Sequence, residues 1–127
     1  MKSFLPLFFA VCLLIPVAEA QTRVIYHPEG TVKAEITKLK NGLAKVQRYT
    51  SEGQLYETGY YRYNKRHGQW QSFNEHGEIV TNAYFFDDKK EGIWTIKDAY
   101  SGVQHIVYFN NNRLLRMETE SLGMLSR

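Results

Sequence analysis

Between positions 30 and 118 the chain alternates short stretches rich in rings and β-branched residues with polar clusters that close on glycine. A representative run is Gly68-Gln69-Trp70-Gln71-Ser72-Phe73, then Asn74-Glu75-His76-Gly77, then Glu78 to Phe86, then Asp87-Asp88-Lys89-Lys90-Glu91-Gly92. The stretches between clusters are about six to nine residues long, which is strand length and too short for an ordinary helix. The clusters supply the glycines that hairpin turns use where φ must be positive. Asn41-Gly42 is the strongest single hairpin signal, and Pro28-Glu29-Gly30 reads as a further turn with proline where its fixed φ is already required.

The interruptions are periodic. Gly30, Gly53, Gly77 and Gly102 are spaced by 23, 24 and 25 residues, and Gly42, Gly68 and Gly92 fall between them. Trp70 and Trp94 are 24 apart; so are Tyr60, Tyr84 and Tyr108, and so are Lys65, Lys89 and Arg113. Several residue types in one register indicate a tandem repeat in which each unit is two strands. Consecutive strands joined by tight turns are antiparallel neighbours. The expected fold is therefore all-β, a single-domain antiparallel meander of tandem β-hairpins with about seven or eight strands. The repeats fall at about 30–52, 53–76 and 77–101, with a degenerate unit at 102–118. From Leu114 to Arg127 the pattern breaks: Leu114, Leu115 and Met117 extend a last strand, or Arg113 to Met124 forms a short helix; the strand is preferred. Leu and Ile are sparse after residue 20, whereas fifteen aromatic residues remain there, so rings must supply the core.

Residues 1–20 read differently. Lys2 precedes an apolar run from Phe4 to Val17, and Ala18-Glu19-Ala20 offers the small-x-small pattern of a signal-peptidase site. The run is short for a membrane span and is broken by Pro6 and Pro16. The expectation is a signal peptide over 1–20, cleavage near Ala20-Gln21, and a secreted or periplasmic domain over 21–127. Its only cysteine, Cys12, leaves with the leader, so the domain holds neither a disulfide nor a thiolate metal site. The net charge of +3 is mild and of mixed sign along the chain, without the concentrated basic stripe of a nucleic-acid binder.

The segment Gly59 to Gly77, with Gly59-Tyr60-Tyr61, the polar Asn64-Lys65-Arg66-His67, Gly68-Gln69-Trp70, Phe73, Asn74 and Gly77, resembles the bacterial variant of the MORN repeat. Glu91-Gly92-Ile93-Trp94 repeats its middle, and the resemblance extends over roughly Gly30 to Arg113. Val46 stands where the first unit would carry its tryptophan, and Lys97 replaces the third aromatic. The resemblance implies hairpin repeats, a scaffolding or lipid-associated role, and kinship with proteins labelled as antitoxin components of toxin–antitoxin systems.

No catalytic arrangement emerges. His67 and His76 sit nine apart but in opposite turn series, and six strand residues separate them by about 20 Å, too far to share an ion. Asp87 and Asp88 read as a solvated hairpin tip, and the glycines are turn punctuation rather than a phosphate loop. The expectation is accordingly a non-enzymatic exported binding or scaffold module, with no catalytic, cofactor or metal site. The candidate interaction surface is Tyr61, Trp70, Phe85 and Trp94, with Trp70 and Trp94 sharing one face and Tyr61 and Phe85 equivalent to each other on the neighbouring strands, and with Lys65 and Arg66 at a basic edge. The partner would be a protein or a second copy of the chain. A cell-envelope glycan or anionic lipid is the alternative, an antitoxin-like role comes third, and nucleic acid is excluded.

Overall fold

The computed structural model describes residues 21–98 and 100–123, and the leader reading for 1–20 lies outside them. Among the described residues there is no helix. Eleven strands form one sheet: β1 (Thr22–Tyr26), β2 (Val32–Lys38), β3 (Leu43–Tyr49), β4 (Leu55–Arg62), β5 (Lys65–Arg66), β6 (Gly68–Phe73), β7 (Ile79–Phe86), β8 (Lys89–Lys90), β9 (Gly92–Asp98), β10 (Val103–Asn110) and β11 (Arg113–Ser121). Their order is β1-β2-β3-β4-β6-β7-β9-β10-β11, with β5 paired on β4 and β8 on β7, and every pairing is antiparallel. The meander is as expected; the strand count is higher.

The extra strands have a local cause. The six residues Asp87 to Gly92 resemble one long turn in sequence, but the reversal is confined to Asp87-Asp88, both at positive φ (45° and 68°). Lys89 and Lys90 already pair with Phe86 and Phe85. Gly92, at φ 73°, then breaks the ladder before β9. The preceding unit repeats the device with Tyr63-Asn64, β5 and Gly68. Two consecutive positive φ values define a two-residue hairpin whose twist matches the strands.

The opposite rim uses a different turn. In His27–Gly30, Thr50–Gly53 and Asn74–Gly77 the glycine N–H donates to the first residue's carbonyl at 2.9–3.0 Å. The ladder bulges beside these turns, at Arg48/Tyr49 and Ser72/Phe73. A turn closed by a left-handed glycine that forms a bulge is the common three-to-five-residue hairpin connection.

The core is one line of side chains across the sheet. Cross-strand registers place Ile36 opposite Val46, Val46 opposite Gly59, Trp70 opposite Ala83, and Trp94 opposite Val107. Val46, which occupies the first unit's tryptophan position, is the most deeply buried large side chain. Among the described residues no second layer covers this face, so the rings bury one another.

Candidate interaction face

Directly opposed residues in an antiparallel pair share a face, and neighbours along a strand alternate. The sheet therefore has a ladder face, carrying the row just described, and an open face carrying the alternate positions. On the ladder face, Tyr61, Trp70, Phe85, Trp94 and Phe109 interlock edge to face, with successive centroids 5.1, 6.4, 5.0 and 5.0 Å apart. Each indole N–H donates to a carbonyl ten residues upstream: Trp70 Nε1 to Tyr60 at 3.0 Å and Trp94 Nε1 to Tyr84 at 2.9 Å. The tryptophans are thus fixed at both ring and polar tip.

Cations close over these rings. Arg66 lies 4.2 Å above Phe85, Arg48 5.8 Å from Trp70, and Lys90 within 5.4 Å of both Trp94 and Phe109. Such contacts contribute about 0.5–1 kcal/mol each at exposed sites. Arg48 also pairs with Glu57 and donates to the Tyr61 hydroxyl at 3.2 Å. Between these groups lies a shallow hollow of ≈ 510 Å³, bordered by Ser72 and Thr81.

The structure brings four of the sequence-derived site residues, Tyr61, Trp70, Phe85 and Trp94, into that single ladder. Trp70, Phe85 and Trp94 retain only 6%, 8% and 9% of their exposure, and Tyr61 is half-buried. What they offer a partner is ring edges rather than an open platform. Lys65 and Arg66 are exposed on β5 at the rim. There Arg66 N–H donates to Asp88 Oδ1 at 2.8 Å while Asp88 N–H donates to the Arg66 carbonyl at 2.9 Å. Lys90 and Asn112 repeat the reciprocal pair at 2.8 and 2.9 Å. Asp88 thus clips one hairpin tip to the next. The Arg66 N–H, followed by its guanidinium, holds the Asp88 carboxyl below the usual carboxylate range. Beside it, Asp87 pairs with Arg62 at 3.1 Å and lies 3.4 Å from His67 Nδ1, so both acids of this tip sit against cations. His76 is at the other rim, 3.5 Å from Glu75.

The open face holds what sequence reasoning passed over. Tyr84, Phe86 and Ile93 remain 40%, 54% and 51% exposed. Ile93 lies opposite Tyr108. Arg62 sits 5.6 Å from the Phe86 ring, the His67 ring 5.0 Å from it, and Arg116 4.0 Å from Tyr108. The signal was present one position along from the ladder: Gly59 leaves room for the Trp70 ring, and Ala83, 24 residues on, stands opposite Trp70 on the same face, which marks the tryptophan face as packed and its alternates as outward.

No family model and no curated protein matches the chain. It is similar to a chain in the crystal structure of a GtfA/B complex bound to UDP and GlcNAc, with 18% identity and a TM-score of 0.49. The likeness covers 91% of this chain and 26% of that one, so this chain spans about a quarter of that protein's length. At that level the likeness carries no functional argument.

Proposed function

We propose that the chain is a non-enzymatic, exported binding module of MORN-like hairpin repeats, and that it docks a protein partner on its open face. The observation that carries this reading is the exposure of Tyr84, Phe86 and Ile93 on one face of a single-layer sheet. Contiguous exposed apolar side chains mark interaction sites, and an apolar centre of aromatic residues rimmed by arginine is the usual anatomy of a protein interface. Arg62 and Arg116 supply that rim. The 24-residue unit and its Gly-x-Trp steps support the repeat assignment, and the leader pattern supports export. The ladder would offer a glycan ring edges rather than open ring faces. At the basic edge Arg62 and Arg66 face Asp87 and Asp88, which offsets part of the charge an anionic lipid would meet.

The test is cross-linking of the protein in its own envelope fraction. A discrete partner should be captured by the wild type and lost with Phe86→Glu or Ile93→Glu, which leave thermal unfolding unchanged. Lys65→Glu with Arg66→Glu should leave capture intact. Salt-sensitive binding to anionic vesicles or glycans, abolished by that pair and indifferent to Phe86→Glu, would replace this reading with the second. Mass spectrometry of the exported chain should show it beginning at Gln21.

A further inference from the structure

We infer that β11 is a self-association edge, and that two copies of the chain pair antiparallel through it in a register centred on Met117. The strand order ends at β11, which has no neighbour on its outer side among the described residues. It is nine residues long, all exposed, without proline, and carries Leu114, Leu115 and Met117. An unpaired edge presents free N–H and C=O groups to a further strand, and the charges of β11, Arg113, Arg116, Glu118 and Glu120, restrict which strand can pair with it. The opposite edge is shorter: β1 has five residues.

The charges of β11 select the partner and the register. With Met117 opposite Met117 of the second copy, Arg116 faces Glu118 of the second copy, and two-fold symmetry makes that pair twice. Sliding the strands by two residues in one direction sets Arg116 against Arg116; in the other it sets Glu118 against Glu118. Parallel in-register pairing stacks both like charges. Like charges directly opposite are destabilising and opposite charges favourable, so the strand complements itself in one antiparallel arrangement that keeps the ladder faces together. The same register extends the core. Trp94 lies opposite Val107, and Val107 opposite Met117, so the buried row continues through the two methionines into the row of the second copy. The register shift at Tyr108/Phe109 leaves Leu115 of β11 without a partner on β10, so the regular part of this edge is Arg116–Ser121. The contact is made by the edge of the sheet, but Arg116 also stands over Tyr108 on the open face, so Glu118→Arg rather than Arg116→Glu separates it from the binding role above.

Sedimentation velocity on the purified protein tests it. The wild type should pass from monomer to dimer with rising concentration. Arg116→Glu and Glu118→Arg should each weaken the dimer by roughly tenfold in Kd, since each turns two attractive cross-strand pairs into repulsive ones, besides breaking the Arg116–Glu118 pair that stands at 3.4 Å within the chain. The double variant, Arg116→Glu with Glu118→Arg, restores opposite charges and should restore the dimer. Arg116 packs on Tyr108, so circular dichroism accompanies each variant, and Glu118→Arg carries the test if Arg116→Glu unfolds. A wild type that stays monomeric to concentrations on the order of 100 μM would overturn the proposal. So would single variants that dimerise as tightly as the wild type, or a dimer lost with Phe86→Glu but kept with both charge variants.

Discussion

Two residues show how the sheet is specified. A Cβ on Gly59 would overlap the Trp70 ring, so the glycine is there for space, not for backbone freedom. Gly59→Ala should destabilise the fold by about 1–3 kcal/mol, the usual cost of overpacking a filled site. Ala83→Gly, at the equivalent position under Trp94, should cost only about 0.5–1 kcal/mol, the entropic difference between the two residues. Denaturant unfolding of the pair measures the contrast, and equal losses would mean that the Trp70 ring swings aside freely. Asp88 carries the second case. Its carboxyl is held below the usual value by the Arg66 N–H and guanidinium, so it binds its proton more weakly folded than unfolded. Its stabilisation is therefore present above the unfolded value, about 3.9, and fades as pH falls through the folded one. Asp98, held down by the Tyr100 N–H, acts in the same sense. Asp88→Asn keeps an acceptor for the Arg66 N–H, as Asn112 does for Lys90. The acid limb of its melting-temperature profile should be shallower than that of the wild type. An unchanged limb would remove Asp88 from the acid response.

At the level of the elements, the hairpins were legible because each has punctuation that only turns need: Asn41-Gly42, Pro28-Glu29-Gly30 and the 24-residue glycine series. The common face of Trp70 and Trp94 was legible from that spacing. The short strands β5 and β8 were not, because Lys65-Arg66 and Lys89-Lys90 are lysine and arginine side chains whose pairing is purely backbone. Gly68 and Gly92 looked like turn residues, yet they mark the break after a two-residue reversal. The outward rings were missed for a related reason: Tyr84 and Phe85 are equally apolar, and only the cross-strand register tells which faces Trp94. That register also separates two contributions of tryptophan. Trp94→Phe keeps an aromatic ring and loses the N–H to the Tyr84 carbonyl, which still accepts from the Glu91 N–H at 3.0 Å. It should cost about 1 kcal/mol. Trp94→Ala also empties the space between Phe85 and Phe109 and should cost about 3–5 kcal/mol. Similar losses for both would show that the hydrogen bond, rather than the ring, holds the ladder.

Across the whole molecule, each strand on the main path packs mainly on its immediate neighbours, so stability is shared along one dimension, as in other repeat arrays. The buried row is thickest where Trp70, Ala83, Phe85 and Trp94 meet, on β6 to β9, and thins towards β1 and β11. Local opening is cheapest where few apolar contacts are made. Amide hydrogen exchange should therefore be slowest in β6, β7 and β9 and grade outward to both edges. Uniform protection would mean that the sheet opens as a single unit and that the ladder does not dominate its stability. The two edges should then part company as concentration rises. β1 is short, so its exchange should be independent of concentration. If β11 pairs with a second copy, its outward amides gain partners, and Arg116 to Ser121 should become protected with the same concentration dependence as the sedimenting dimer. Protection rising equally at β1 and β11 would instead indicate head-to-tail stacking of sheets. That arrangement does not close on itself and would produce filaments rather than dimers.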